Sequence, residues 1–426
     1  MARREGKVLH YGFVIVAACM VISSVTMGFV FGCSGLFYAP VSSYFGVPQT
    51  QFVLYWSVMN LVLTFSLPVM GNLIVRVSRR VLLTACALLL GGCMAAMSLA
   101  TQVWHFYLIG AVMGFAFSPF VYIVVPTFIN DWFAKDVGFY IGLCMSFTGL
   151  VGMLFNPTLT QIINSSPEGW REGYRIIGLL IVVLTVPFTA FVLRDKPSDM
   201  GLKRYGEDEV GSDAGSADAS SLGGVEAQVA YRSRSFKTVL AFGAIMALVQ
   251  TINNYLPGFA TSFAGTYPEI AAASGYVSSV ALAGAIVGTL TLGIANNRSV
   301  RLGTLIICLT GIAGMALMLS SSGLLVAMLC GAFLFGYAYG GTGIETPLLT
   351  RTCFGSKDYA IINSRVSAAG SATAIVSALV WSMLADSSLG YAPIFAIGIV
   401  ALVVSYALMR SSLAHAKELA ESWQEG

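Results

Sequence analysis

Two charged side chains, Glu345 and Arg365, lie inside long apolar runs of the sequence. A charge in such surroundings is costly unless it is paired or used, so each marks a candidate site. Arg365 could hold a carboxylate, because a guanidinium presents a planar fork of donors that matches one. Glu345 is a candidate proton-coupling group because it is isolated. The opposing interpretation is a structural ion pair, since consecutive runs joined by a short loop place both residues at similar depths.

Amide side chains form a second candidate set. Gln250, Asn253 and Asn254 have the i, i+3, i+4 spacing that places residues on one face of a helix, and Pro257 follows them. Such a face would line a polar solute site or supply hydrogen bonds between helices, and the sequence leaves both interpretations open. The weaker candidates for the same solute-binding role are Asn60 and Tyr122.

Residues suited to metal binding or nucleophilic catalysis are dispersed. The three histidines lie near the two termini and at one end of an apolar run, and the eight cysteines show no C-x-x-C pair. The phosphate-binding pattern G-x4-G-K-[ST] of ATP-driven carriers is absent from the sequence. We therefore expect no catalytic residue, no cofactor, no metal and no nucleic-acid partner.

The elements that must position these residues are membrane-spanning helices. Hydrophobic residues make up 57% of the 426 positions and charged residues 10%, whereas a soluble domain carries about 25% charged residues. Twelve apolar segments are each long enough to cross a hydrocarbon core of ~30 Å as helices. The sequence thus predicts an all-α polytopic membrane protein. The segments are 11–38, 51–75, 81–101, 105–130, 138–164, 173–193, 238–262, 274–295, 302–320, 323–349, 360–384 and 391–410.

A polar stretch divides the twelve segments into six and six. Residues 194–237 carry eight acidic residues among Gly, Ser and Ala, which is typical of a flexible linker. The predicted organisation is a six-helix half over 1–193, a cytoplasmic linker over 194–237, a second half over 238–410 and a cytoplasmic tail over 411–426. The even division indicates a parallel repeat.

The distribution of Lys and Arg predicts the orientation. With alternating crossings, 20 of the 23 cations fall on the side of the termini and the linker, and Arg171 and Arg175 fall on the other. Cytoplasmic loops carry this excess, so both termini are expected in the cytoplasm.

Glycines recur four residues apart in several segments, a spacing that lets helix backbones approach closely. Tight packing is the favoured interpretation, ahead of a role in gating. The pairs are Gly28/Gly32, Gly110/Gly114, Gly138/Gly142, Gly284/Gly288 and Gly336/Gly340.

Two loop segments at matching places in the halves, 71–80 and 293–301, resemble the cytoplasmic loop motif of the major facilitator superfamily. That motif has a Gly, then an Asp-Arg pair, then Gly-Arg-Arg. The matching residues are Gly71, Arg76, Arg79, Arg80 and Arg298. Val75 and Asn297 stand at the acidic position, so the latch that this acid helps to form in the family is expected to be weaker or built otherwise.

Three further segments are similar to the oxalate/formate antiporter and monocarboxylate transporter branch. The first, 130–142, includes Asp131 and resembles a W-F-x4-G-x3-G loop; the second, 194–206, resembles a Pro-x3-Gly-Leu signature; the third is 354–359. In that branch a basic residue of the eleventh helix contacts the substrate carboxylate. The resemblance implies that role for Arg365.

The branch also places a second cation in helix one or eight, where this sequence has no Lys or Arg. One cation suits a single carboxylate better than oxalate. We therefore expect a monomeric secondary transporter in the cell inner membrane that moves a small organic anion, a monocarboxylate, by proton symport or anion exchange. The alternatives are a carrier of a larger or neutral solute, in which Arg365 pairs with Glu345, and a membrane sensor that shares the fold.

Overall fold

Twelve long apolar helices form the protein, as the sequence predicts. A computed structural model describes residues 10–207, 224–321, 323–355 and 357–424. Within this part of the chain the prediction of twelve helical spans is confirmed, and the ordered elements are helices without β-strands. The spans, numbered 1 to 12, are Tyr11–Gly32, Gln49–Ile74, Arg79–Met97, Val103–Trp132, Phe139–Asn164, Gly169–Val192, Arg234–Thr261, Ser274–Asn296, Val300–Leu319, Leu325–Phe354, Ile361–Asp386 and Ala392–Ala416.

The ends of the spans define two sides of the molecule. The linker side holds the start of span 1, both ends of the 194–237 segment and the end of span 12. The distal side holds the opposite ends, including the start of span 2 and the end of span 11. The Arg3, Arg4 and Lys7 of the predicted cation cluster lie outside the described residues.

Glycine pairs let neighbouring spans within each half pack with their backbones in close contact. A methyl group on Gly336 or Gly340 of span 10 would overlap the backbone of span 8, and one on Gly284 or Gly288 of span 8 would overlap the backbone of span 10. Span 4 packs on span 2 through Gly110 and its pair partner Gly114 in the same way. Close backbone approach through small residues is the usual way to pack helices in lipid, where apolar burial offers little driving force.

Both ends of the predicted flexible linker are folded. Residues 194–207 lie against the first half, where the backbone of Tyr205 hydrogen-bonds to the end of span 4. Residues 224–237 lie against the second half: a short helix, Ala227–Arg232, precedes span 7, and Asp358 accepts a hydrogen bond from its first N–H. Residues 208–223, which hold four of the eight acidic residues of the 194–237 segment, lie outside the described residues.

The two halves meet mainly through spans 5 and 8, spans 2 and 11, and spans 1 and 7. The hydrogen bonds that join described residues of the two halves lie toward the distal side. The structure is therefore closed at the distal side.

Substitution of Gly336 tests this packing. In Gly336→Ala the new methyl group meets the backbone of Ala281, which cannot move aside without separating spans 8 and 10. Overpacking of this kind costs about 1–3 kcal/mol, so the melting temperature in detergent should fall by several degrees. Gly142→Ala is the matched control because no atom lies within 4 Å of the added group. Equal melting temperatures for the two variants would contradict the packing described.

Candidate functional site

Spans 1 and 7, the first of each half, are both interrupted. Span 1 widens to a π-helical turn at Gly28–Gly32 and resumes as a helix over Gly35–Phe45. Span 7 tightens to a 3-10 turn at Ile252–Tyr255. The cause in span 7 is Pro257, which has no N–H to offer the carbonyl of Asn253; that carbonyl instead accepts from Leu256. Interrupted helices at corresponding positions of two halves indicate a solute site.

The two interruptions touch each other. Gly35 of span 1 lies so close to the backbone carbonyl of Asn254 that no side chain would fit at position 35. Beside this contact the rings of Tyr38 and Tyr255 pack edge to face, with centroids 5.7 Å apart. The Tyr255 hydroxyl donates to the carbonyl of Ala378, which brings span 11 into the same place. We call the region of Gly35, Tyr38 and residues 250–255 the broken-span junction.

Buried polar atoms at the junction lack partners. Asn253 is 7% exposed and its Oδ1 accepts no hydrogen bond. Tyr38 is 1% exposed, and its hydroxyl lies near Ser34 and Asn254 without a well-formed hydrogen bond to either. The Oδ1 atom of Asn156, on neighbouring span 5, is also unpartnered. Because most buried polar groups are satisfied, these three atoms are candidates for hydrogen bonds to a polar solute.

Gln250 is exposed on an inward-directed face of span 7. It lies about two helical turns from Gly243, which packs against spans 10 and 11, and about one turn before Asn254, which packs against span 1. Its exposure is therefore to the space between the halves. The three predicted amides Gln250, Asn253 and Asn254 are thus brought together, at a helix interruption that periodicity alone did not predict.

Asn60 lies on span 2 at the edge of the same space. One turn earlier, Trp56 packs against Phe31 of span 1 with ring centroids 5.4 Å apart. The neighbouring Ser57 donates to the carbonyl of Ile375 in span 11 at 3.0 Å. Asn60 itself is half-buried, and its Nδ2 donates to the Trp56 carbonyl at 2.8 Å. Tyr122 ends the helix Val103–Tyr122, and its side chain lies outside the described part of the structure.

Glu345 and Arg365 do not form, in this structure, the ion pair that the sequence left open as one interpretation. Glu345 is fully buried, and its two oxygens accept hydrogen bonds from Asn296 Nδ2 at 2.8 Å and Thr304 Oγ1 at 2.6 Å. These contacts join spans 8, 9 and 10 within the second half. Glu345 lies nine residues from the linker-side end of span 10, whereas Arg365 lies four residues from the linker-side end of span 11. The two side chains also contact different neighbours.

Arg365 lies on the outer face of span 11. Val376 and Met383, about three and five turns further on, share that face and are 59% and 62% exposed. Trp381, on roughly the opposite face, donates to Thr251 of span 7 at 2.8 Å. The Arg365 guanidinium instead covers the ring of Tyr231, with Cζ 3.8 Å from the ring centroid. Arg365 therefore does not take part in the broken-span junction in this structure.

The loop motif of the first half forms a latch through Asp131. Arg79 of span 3 pairs with the Asp131 carboxylate at 2.5 Å and also donates to the carbonyl of Asp195 at 3.2 Å. Asp131, at the end of span 4, thus supplies a carboxylate for this contact, whereas the acidic position of the family motif is occupied here by Val75. The remaining motif residues do not join this contact: Gly71 has no neighbour within 4 Å of an added methyl group, Arg80 is half-buried, and Arg76 and Arg298 are exposed.

A second latch, which the sequence did not predict, joins the two halves at the distal side. Asp386 at the end of span 11 accepts hydrogen bonds from the backbone N–H groups of Gln49 and Thr50, at 2.9 and 2.8 Å, and from the Thr50 hydroxyl at 2.7 Å. These N–H groups begin span 2, where Pro48 supplies no side-chain cap. A carboxylate at a helix N-terminus satisfies orphan donors and the helix dipole. Here the carboxylate comes from the other half.

Tyr391 completes the distal latch. Burial raises the pKa of Tyr391 to about 12, so its hydroxyl stays protonated and donates to Gln49 Oε1 at 3.0 Å. Asp386 resembled an ordinary loop acid because it stands at the end of an apolar run. The sequence carries no local signal for this role, because the helix start that Asp386 caps belongs to the other half.

Comparison with known proteins identifies the architecture. The family model of the Major Facilitator Superfamily matches residues 20–354. The nucleoside transporter NupG has a similar structure, with a TM-score of 0.68 and 12% identity over 93% of this chain and 98% of that one. A bacterial homologue of the human lysosomal transporter Spinster, in an inward-facing, occupied conformation, gives a TM-score of 0.63 and 13% identity over 98% of both chains. No curated protein sequence matches the chain.

Loss of the Asp386 charge should loosen the distal side. In Asp386→Asn the charge-assisted bonds to span 2 are lost, at a cost of about 1 kcal/mol for an exposed carboxylate, or roughly fivefold in the opening equilibrium. A cysteine at buried position Ser57, in a Cys330→Ser background that removes the exposed native thiol, should react faster with a membrane-impermeant thiol reagent.

Glu269→Gln is the matched control, since Glu269 is an exposed acid in a distal loop of the second half. An equal labelling rate in Asp386→Asn and Glu269→Gln would contradict the proposed latch.

Proposed function

Since the chain belongs to the major facilitator superfamily of secondary transporters, we propose that its solute is a small polar organic molecule held at the broken-span junction. The observation that carries this proposal is the contact between interrupted spans 1 and 7, with the unpartnered polar atoms of Asn253 and Tyr38 beside it. Alternating access brings such a site to each side of the membrane in turn.

The charge distribution favours a solute without net charge. The groups that meet at the junction are amides, hydroxyls and aromatic rings, which recognise a solute by hydrogen bonds and apolar contact. Asn60 and Gln250 add amides at the edge of the same space. The carboxylate of Glu345 already accepts hydrogen bonds from Asn296 and Thr304. Arg365 lies on the outer face of span 11, away from the junction.

Transport of an organic anion, such as a monocarboxylate, is the second candidate. It is favoured by the loop signatures and by the guanidinium of Arg365, which matches a carboxylate. It requires Arg365 to leave Tyr231 and approach the broken-span junction during the transport cycle. The geometry of the site therefore supports the neutral solute better.

We infer that the linker side is cytoplasmic, because the excess of Lys and Arg lies there. On this assignment, a structure closed at the distal side is an inward-facing carrier. The Spinster homologue of similar structure is also described as inward-facing. The cell inner membrane and a monomeric carrier are part of the same proposal.

Proton coupling through Glu345 fits its surroundings. A carboxylate charge without a cation is costly inside a membrane, and the partners of Glu345 are neutral. Asn296 donates from Nδ2 to Glu345 while its own Oδ1 has no partner. If the side-chain amide of Asn296 flips, its Oδ1 can accept a hydrogen bond from a protonated Glu345. The network can thus satisfy Glu345 with or without its proton.

Uptake into proteoliposomes tests the solute class. With a radiolabelled panel of neutral polar solutes and monocarboxylates, we expect a neutral solute to be transported. Gln250→Ala and Asn254→Ala should each raise its KM roughly tenfold, since a lost hydrogen bond to a solute costs about 1–1.5 kcal/mol. Arg365→Gln should leave this KM unchanged. Transport confined to carboxylates, with a KM that rises in Arg365→Gln, would contradict the neutral-solute proposal and support the anion carrier.

Replacement of Glu345 tests proton coupling separately. Glu345→Gln keeps the shape and the hydrogen-bonding capacity of the side chain but cannot bind a transferable proton. We expect solute exchange to persist while acceleration of uptake by an inward proton gradient is lost. Glu269→Gln should remain coupled. A Glu345→Gln variant whose uptake still responds fully to the gradient would rule out the role proposed for Glu345.

A further inference from the structure

The outer face of span 11 carries a cation that no group among the described residues neutralises. Arg365 makes no salt bridge and no hydrogen bond within the described part of the chain; its contact is the ring of Tyr231, 3.8 Å from Cζ. Tyr231 is fixed by its hydroxyl, which donates to the carbonyl of Ile361 at 3.3 Å, and by packing on Phe236 with ring centroids 5.0 Å apart. The ring is thus a rigid platform for the guanidinium.

The position of Arg365 indicates that its charge is paired with an anion from outside the protein. It stands about four residues, or one turn, inside the start of span 11, on the face it shares with the exposed residues Ile361, Val376 and Met383. A cation at the edge of the hydrocarbon is costly unless it is paired. One flat side of the guanidinium is covered by Tyr231, which leaves its N–H donors free at the edge.

Three further cations lie at the same end of the second half. Arg232 ends the short helix that carries Tyr231, and Arg234 and Lys237 lie in the first turn of span 7. All three are exposed, and none has an ion-pair partner within the described residues. The nearby acids are already engaged: Glu226 pairs with Lys357 at 3.0 Å, and Asp358 caps the short helix. The surface is therefore positive, and we call these four cations the span 7–11 cationic surface.

We propose that the span 7–11 cationic surface binds the headgroup of an anionic phospholipid. A headgroup phosphate lies at the level of the first turn of a span and accepts two parallel bonds from a guanidinium. The acyl chains then lie along the exposed apolar face of span 11. Clustered Lys and Arg next to a span attract anionic lipid by about 1 kcal/mol per residue. This binding is independent of the solute proposal, and it fastens the short linker helix to span 11.

Lipid titration of the purified full-length protein tests the proposal. The melting temperature is followed while dioleoyl phosphatidylglycerol or dioleoyl phosphatidylcholine is added to detergent micelles. We expect the midpoint of stabilisation to come at a roughly tenfold lower concentration of phosphatidylglycerol. Arg365→Gln should raise this midpoint about fivefold, which corresponds to the loss of one cation. Arg365→Lys, which keeps the charge, should give an intermediate shift. Arg410→Gln, which removes an exposed cation on the linker side of span 12, should change it less than twofold.

Several results would overturn this inference. One is equal stabilisation by the two lipids, and another is an equal shift in Arg365→Gln and Arg410→Gln. Competition by inorganic phosphate or glycerol phosphate at millimolar concentration would assign the surface to a soluble anion. If Arg365→Gln does not fold, the result for Arg365→Lys decides, and an unchanged midpoint in that variant counts against the proposal. A solute KM that rises in Arg365→Gln with unchanged lipid midpoints would place Arg365 at the solute site instead.

Discussion

The contact between the two interrupted spans is the constraint on which the rest of the structure depends. Gly35 and the carbonyl of Asn254 meet at a distance that admits no side chain. Helices approach this closely only where a glycine faces a backbone. Once spans 1 and 7 meet there, Tyr38 must pack on Tyr255, and span 11 follows through the Tyr255 hydroxyl. The polar side chains of the interruption are then held between the halves, where a solute can reach them.

Four charges within or at the ends of the spans are each satisfied by a different physical interaction. Asp131 has a cation, Asp386 has the N-terminus of a helix in the other half, and Glu345 has an amide and a hydroxyl. Arg365 has an aromatic ring and, in our proposal, a lipid. These interactions differ in how they respond to motion. The Arg79–Asp131 and Glu345 contacts stay within one half, whereas the Asp386 contact must break whenever the halves separate.

The sequence predicts the fold well because the bilayer simplifies the problem. Backbone polar groups in hydrocarbon must be satisfied within the segment, so hydropathy and length alone predict helical spans. The glycine pairs Gly284/Gly288 and Gly336/Gly340 likewise give the contact between spans 8 and 10, since four-residue spacing places both glycines on one face. The grouping of Gln250, Asn253 and Asn254 follows from the same periodicity.

The side-chain partners could not be predicted in the same way. Position along a helix gives no rotational position, so the sequence could not show that Glu345 and Arg365 face different neighbours. Tyr38 and Asp386 acquire their significance from residues more than two hundred positions away, and no local pattern encodes that pairing. The folded ends of the 194–237 segment depend in the same way on docking against loops that are distant in sequence, such as Asp358.

The halves must separate at the distal side during transport, and a distance measurement tests this motion most directly. Spin labels at exposed Ser43 and Ser388, on the distal ends of the two halves, can be placed in a Cys330→Ser background in lipid nanodiscs. Double electron–electron resonance should then show a short distance, matching the closed structure, and a longer population that grows when the transported solute is added. A single unchanged distance distribution under every condition would contradict the account.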